Sequence, residues 1–482
     1  MLEEPEPSGK PTTTDTSYID DVSIMCISPS PAAATQRLQE RTDTQAERAT
    51  YLQLQFAPGK SDLIHLRPTA GRLAHDDASR SASSTIFLHP PNREPHAITP
   101  SQTITYLGIL IDERLSFKAH AMAAASKGLQ TLGRVRHLRA NRWGGSISLT
   151  VCRHLVFAAV LPKMLWASPF WWSGTPTVLG PLEITYNKLA RWVTGLSKTT
   201  AIPKLLAAAH LPPLSAYLDY LSTLYAIRLH FLPSKHALRA LITPPPIAPQ
   251  QRPKTPYPLV DRLLKYSDKL IVDKLEDRTT EANDEGQSIA KKIPLVHRAK
   301  STQAKRIHEN CVKALPDYTI LLYTDGSKKL SGEVGSGWVI YCVGDGKARV
   351  IVRGNCHLGK RAEVIDGELH AAAEALKALT QINTPPVPLY LCIDSTAAID
   401  TLQANNENSQ FARDAINTAS SMTSAGWAFA TVWTPSHCGI AGNERADKQA
   451  NQGAACNATT TPCQDACTTK AWLRSEARKR LL

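Results

Sequence analysis

Leu321-Leu322-Tyr323-Thr324-Asp325-Gly326-Ser327 opens the stretch that decides the fold, and Trp433-Thr434-Pro435-Ser436-His437-Cys438-Gly439-Ile440-Ala441-Gly442-Asn443-Glu444-Arg445-Ala446-Asp447 closes it. The first is an apolar run stopped by an acid and a glycine, the mark of a strand's end. Between them lie Glu368, at the start of an alanine-rich helical run, and Asp394, just after the apolar run 389–393. Residues 335–342 and 348–356 alternate in polarity across a Gly-Asp-Gly turn, which predicts two further strands. Leu369, Ala373, Leu376 and Leu379 recur at helical spacing, predicting a helix over 362–379. Helices are also expected at 395–402 and 411–425, a strand at 428–433, and a last helix carrying Asp447. The order βββαβααβα implies a mixed sheet flanked by helices.

Four carboxylates thus stand near the ends of four elements: Asp325, Glu368, Asp394 and Asp447. Unpaired, they would repel one another, so bound metal or raised pKa values are expected. Phosphodiester hydrolysis needs charge neutralised on the attacking and leaving oxygens. Two hard cations about 3.5–4 Å apart do this with oxygen ligands. His437 lies in a glycine-containing loop, and histidine is the side chain that exchanges protons most readily at physiological pH, which suits a proton shuttle or a product-release role.

The remaining chain sets the context. Its 482 residues exceed one ordinary core and suggest two to four domains. A net charge of +13 favours a polyanionic partner, most simply nucleic acid. The acidic, proline-containing N-terminus fits neither a secretory signal nor a transit peptide, so an intracellular site, nuclear or cytoplasmic, is expected. The apolar stretch 155–172 is interrupted by Pro162 and Lys163 and reads as packed helix, so no membrane partner is expected. The ten cysteines include no Cys-x-x-Cys pair and read as reduced thiols.

Residues 1–16 read as disordered. In Tyr18-Ile19-Asp20-Asp21, adjacent carboxylates sit at the turn of an expected hairpin. A helix is predicted over 34–55, a strand over 63–66 beyond Lys60, and a strand, turn and helix start over 106–118. This order resembles the C-terminal half of a reverse-transcriptase palm of the kind carried by non-LTR retrotransposons. The resemblance rests on Tyr18–Asp21, Lys60, Leu107-Gly108 and Leu115-Ser116-Phe117. It implies a partial palm over 17–118. Asp20 and Asp21 would be its polymerase remnant, without the upstream partner acid that nucleotidyl transfer needs. Residues 119–232 are helical by pattern and resemble the thumb and connection region that comes after the palm in these elements. Their aromatic group Trp166, Phe170, Trp171 and Trp172 reads as core more than as a base-stacking platform. Prolines and mixed charge then predict a linker over 233–314, with a helix at 259–275.

The C-terminal segment, 315–455, resembles a type 1 ribonuclease H domain. The match runs through Thr324–Ser327, Glu368-Leu369, Asp394-Ser395, and Trp433 through Asp447. It implies a ribonuclease H-like α/β fold with a mixed five-stranded sheet. It implies cleavage of the RNA strand of an RNA–DNA hybrid with two Mg2+ ions, Mn2+ being the alternative, held by the four carboxylates. On this resemblance Asn443 orients a phosphate or the RNA strand, and Ser327 and Ser395 donate to 2′-hydroxyls or phosphates. Glu444 tunes the metal site or simply starts a helix. Bacterial members carry a basic handle, whereas Leu402 to Ser409 forms an acidic bridge here. Hybrid grip should therefore be weak and rest on Lys328, Lys329, Lys360 and Arg361, helped by the basic helices of 119–232. Residues 456–482 read as a tail. The rival readings are a non-catalytic nucleic-acid-binding remnant and part of an active reverse transcriptase.

Overall fold

The computed structural model describes residues 12–18, 21–28, 31–54, 56–66, 85–89, 94–138, 147–232, 236, 238–239, 301–382, 384–404, 409–455 and 467–481. The chain divides into two compact units with a boundary at Ser222/Thr223.

In the N-terminal unit, strands β1 (Thr12–Tyr18) and β2 (Asp21–Ile27) pair antiparallel, with Tyr18 opposite Asp21. The disorder expected through residue 16 therefore does not extend to Thr12–Thr16. Four of those five residues are threonines, which favour extended backbone. Helix α1 (Pro31–Tyr51) comes next, and its Gln39 side chain closes hydrogen bonds with both the N–H and the C=O of Phe87. The strand expected at 63–66 is reduced to one bridge between Leu63 and Pro100, and proline has no N–H to extend a ladder. Strands β3 (Ile86–Leu88) and β4 (His96–Ile98) form one hairpin, β5 (Thr103–Tyr106) and β6 (Ile109–Asp112) another. Leu107-Gly108, expected within a strand, is instead the turn of the second hairpin. Both residues hold positive φ, 47° and 81°, as a tight two-residue turn requires.

From Lys118 to His230 the chain is mostly helical. Helix α2 (Lys118–Val135) precedes a broken run of α3 (Leu149–Leu155), a π-helical turn (Val156–Val160), α4 (Leu161–Met164) and α5 (Ser168–Trp171). Then come α6 (Pro176–Thr194), α7 (Ile202–Ala208) and α8 (Leu214–His230). Val156, Leu161, Leu182, Leu189, Leu205 and Leu218 fill their shared core. The aromatic group divides: Trp171 and Trp172 are buried, whereas Trp166 and Phe170 are 59% and 44% exposed. Among the described residues no helix is long and apolar enough to cross a membrane. Every described cysteine is a free thiol. The helix expected at 259–275 and the prolines of the expected linker lie outside the described residues.

The C-terminal unit is built on five strands: β7 (Ile320–Lys328), β8 (Val334–Gly344), β9 (Lys347–Gly359), β10 (Pro388–Ile393) and β11 (Ala428–Trp433). Their order is β11-β10-β7-β8-β9. The pairs β11–β10 and β10–β7 are parallel, and β7–β8 and β8–β9 are antiparallel, so the sheet is mixed as expected. Helices α10 (Val364–Thr380), α11 (Thr396–Gln403) and α12 (Gln410–Ser424) cover one face over a core of Leu322, Ile340, Leu376, Leu391 and Phe411. Helix α13 (Ala441–Ala455) packs on the other face with Tyr323, Tyr341, Cys392 and Ile440.

Two boundaries of this unit lie elsewhere than expected. Residues 301–313 form helix α9 (Ser301–Lys313), not linker. Its Val312 joins the α13-side core, and a 2.7 Å hydrogen bond links His308 Nε2 to the Tyr323 hydroxyl. The expected tail contains helix α14 (Lys470–Lys479), anchored by Leu473, which is fully buried. Both segments are amphipathic, so each has an apolar stripe to bury.

Candidate active site

The site forms where β7 and β10 end their shared ladder. Ile393 pairs with Thr324, so the next residues, Asp394 and Asp325, emerge side by side. Strand β7 itself continues to Lys328, paired only with β8. The acid is thus at the end of the parallel pairing rather than at the end of its strand. The Trp433 indole N–H donates to the Asp394 carbonyl oxygen at 2.9 Å and pins that backbone.

Glu368 reaches this point because α10 rests directly on the backbone of β7. A Cβ added to Gly326 would lie 2.6 Å from the Glu368 nitrogen and 2.6 Å from the Val364 oxygen. One added to Gly367 would lie 2.9 Å from the Gly335 oxygen. Glycine at 326 and 367 is therefore what lets helix and strand touch. Helix α13 approaches β8 in the same way, over Gly335 and Gly337, and so brings Asp447 to the same edge.

Asp325, Glu368 and Asp394 offer carboxylate oxygens that all lie within 4.8 Å of one another. No other group of three or more potential metal ligands occurs among the described residues. Burial raises the Asp325 carboxyl to about 8, aided by the charges of Asp394 and Asp447, although the Gly326 N–H donates to it at 2.8 Å. Burial likewise lifts Glu368 well above the usual range, with Asp394 and Asp325 adding to the effect. Asp394 is raised by burial too, with Asn443 and His437 holding it back. Asp447 stands outside the tight group but adjoins Asp325 and is half-buried.

This donor set fits divalent cations. All its atoms are carboxylate oxygens, the ligand type of hard ions. Glu368 Oε2 is buried with no hydrogen-bond partner, so its lone pairs are uncommitted. A cation would also offset the burial, and the repulsion added to it, that raise the three carboxyls.

The other expected residues divide between this edge and elsewhere. Asn443 is buried, and its Nδ2 donates to Asp394 Oδ2 at 3.4 Å. Ser395 caps α11, accepting from the Ala398 N–H at 3.3 Å. Ser327 donates to Asn451 Oδ1 at 2.6 Å, and Asn451 Nδ2 donates to Asp447 Oδ1 at 3.0 Å. Asn451 is a residue that sequence reasoning missed. Its signal is the four-residue spacing from Asp447, which puts both on one helical face. His437 is exposed in a left-handed conformation, φ 52°, followed by Gly439 at φ 73°. Glu444 accepts from the Gly439 N–H at 3.2 Å, so it ties this loop down.

Two of the expected phosphate contacts, Lys328 and Lys360, are engaged by acids within the protein. Lys328 Nζ pairs with Glu363 at 2.9 Å and donates to the Ala362 carbonyl at 3.2 Å. Lys360 pairs with Glu333 at 3.5 Å yet stays 64% exposed. The Arg361 carbonyl accepts from the Thr469 N–H at 3.0 Å. Asp20 lies outside the described residues, and Asp21 is exposed on β2. Residues 405–408 of the acidic bridge, and Cys456 and Cys463, are also outside the described residues.

Residues 317–455 match the family model for RNase H. Among curated proteins nothing matches the chain. Among solved structures, RNase H1 from the halophilic archaeon Halobacterium salinarum NRC-1 is 24% identical over 28% of this chain and 96% of its own, with a TM-score of 0.23. The PFV RNase H domain is 20% identical over 30% and 98%, at 0.24. LC11-RNase H1, solved in complex with an RNA/DNA hybrid, is 18% identical over 28% and 96%, at 0.24. The family match spans all four carboxylates, and residues 317–455 of this chain form an RNase H domain.

Proposed function

We propose that the chain hydrolyses the RNA strand of RNA–DNA hybrids and that its RNase H domain serves a reverse-transcribing element of the non-LTR type. The observation that carries the catalytic reading is the buried group of Asp325, Glu368 and Asp394, with ligand oxygens within 4.8 Å and an uncommitted Glu368 Oε2. Asp325, Glu368, Asp394 and Asp447 would hold Mg2+ or Mn2+. Such ions, when bound, neutralise charge on the attacking and leaving oxygens of the phosphodiester.

The protein's own groups do the rest. Burial and fixed backbone contacts keep the acids in place before substrate arrives. Asn443, whose amide donates to Asp394, is assigned to orienting a phosphate or the RNA strand beside the acids. The Ser395 oxygen accepts its cap bond, which leaves the hydroxyl proton for a phosphate or 2′-hydroxyl. Ser327 acts through Asn451 to hold Asp447. His437, exposed on its loop, moves a proton or assists departure of product. Since Lys328 and Lys360 are paired with acids, hybrid affinity is expected to draw on Lys and Arg elsewhere in the chain. The element context rests on the hairpin motif at 18–21 and the helical segment after it.

The full chain is to be incubated with an end-labelled hybrid and Mg2+, beside single-stranded RNA, duplex RNA and a chelator control. Cleavage confined to the hybrid and abolished by chelator is the expected result. Intact hybrid would contradict the proposal.

A further inference from the structure

The segment after the RNase H match is built into the helix that carries Glu368. Thr469 and Asp366 are both almost fully buried, at 1% and 2% exposure. The Thr469 hydroxyl donates to Asp366 Oδ2 at 2.7 Å. It also accepts from the Trp472 N–H at 3.1 Å, so it is the N-cap of α14. One hydroxyl thus joins two helix starts, giving its proton to Asp366.

Asp366 has its own part in α10. Its Oδ2 accepts from the Glu363 N–H at 2.8 Å, one half of a capping box at the start of that helix. The Thr469 N–H donates to the Arg361 carbonyl at 3.0 Å, which fixes the chain entering the helix. Gly367 is next, pressed against Gly326 and the Gly335 carbonyl, and then Glu368. A shift of this first turn would move Glu368 against a contact with no slack. Leu473, fully buried, and Cys467, packed on the main core, keep the segment in place.

We infer that Thr469 is a positioning residue for the metal site, acting through Asp366 on Glu368, and that residues 467–481 are an integral part of the nuclease domain. This rests on the proposed function, since it assumes that the carboxylates hold divalent cations. Hydrogen bonds made directly to metal ligands set their orientation, and their loss typically costs about 10–100-fold in metal affinity. Thr469 acts one residue further removed, through the first turn of α10, so the lower end of that range applies.

The test uses the full chain, with Mg2+ binding followed by titration calorimetry and hybrid cleavage measured across Mg2+ concentrations. Three variants are compared with the native protein: Thr469→Val, Thr469→Ser and Leu473→Ala. Thr469→Val is expected to weaken Mg2+ binding about tenfold and to raise the half-saturating Mg2+ for cleavage equally. Thr469→Ser restores both. Leu473→Ala, which loosens the same helix but keeps the Thr469–Asp366 hydrogen bond, lowers the Tm more than Thr469→Val does and weakens Mg2+ binding less. Native affinity in Thr469→Val, or an equal loss in Leu473→Ala, overturns the inference while leaving the proposed function intact. A native chain that binds no Mg2+ overturns both.

Discussion

Two regions of this protein present acids at the turns and ends of strands, and only one gathers them into a site. In the N-terminal hairpin, Asp21 opens β2 on an exposed two-stranded ribbon. In the RNase H sheet, Asp325 comes after a run buried from Ile320 onward, on a strand between two others. Its neighbour Asp394 arrives by register and Glu368 by the contact of α10 with Gly326. An acid pair in sequence is thus cheap to write and carries no charge problem in water. Three acids brought together by packing are costly, and burial raises all of them. Convergence, rather than the number of acids, separates a metal site from a polar turn.

The contrast can be broken first at one of its tightest points. In Gly337→Ala the new Cβ would meet the Ala450 nitrogen at 2.1 Å, inside backbone that cannot yield. Chemical denaturation is expected to show the C-terminal unit destabilised by about 3 kcal/mol or more, with hybrid cleavage lost. A stability within error of native would contradict the direct packing of α13 on β8.

The second effect is one of pH. Asp325 has a folded-state pKa near 8, against about 4 for an unfolded aspartate. The folded state then binds more protons than the unfolded state between these values, so metal-free stability falls as pH rises from about 4 to about 8. Thermal melts in chelator should trace this fall. Asp325→Asn should make it shallower, with Glu368 and Asp394 still contributing, and added Mg2+ should stabilise the native protein increasingly over the same window. A metal-free Tm that rises through that range would contradict the assigned burial.

A smaller effect belongs to the N-terminal unit. Burial alone would raise Asp112, but the Ser116, Phe117 and Arg114 N–H groups reverse this and hold its carboxyl low. It organises the turn into α2. Asp112→Ala should cost that unit about 1–2 kcal/mol and leave hybrid cleavage unchanged. The stability that Asp112 provides is present above about pH 4 and is lost as pH falls below it. The smallest expectation is for Asp21→Asn, which should alter neither Mg2+ binding nor hybrid cleavage. A loss of either would mean that the hairpin acid reaches the site.

Sequence patterns carried the C-terminal sheet well because its signals are local. Apolar runs such as Leu389–Ile393 and the helical spacing of Leu369, Leu376 and Leu379 depend only on near neighbours. Three of the acids were legible for the same reason: Asp325 and Glu368 stand beside a glycine and Asp394 at the edge of an apolar run. What escaped was set by distant contacts. Leu107-Gly108 reads as strand until both residues are seen at positive φ. Lys328 and Lys360 read as free cations until Glu363 and Glu333 fold against them. Helices α9 and α14 looked like tether and tail because their composition is polar. Their anchors are few: His308 on Tyr323, and Leu473 with Thr469.

The most direct test of the central claim is single-turnover cleavage of a labelled RNA–DNA hybrid by the full chain and its Asp394→Asn variant at saturating Mg2+. The carboxylate group as described predicts hybrid cleavage by the native chain and a loss of about 1,000-fold or more in the variant, roughly 4 kcal/mol of transition-state stabilisation. Equal rates for the two proteins would contradict it.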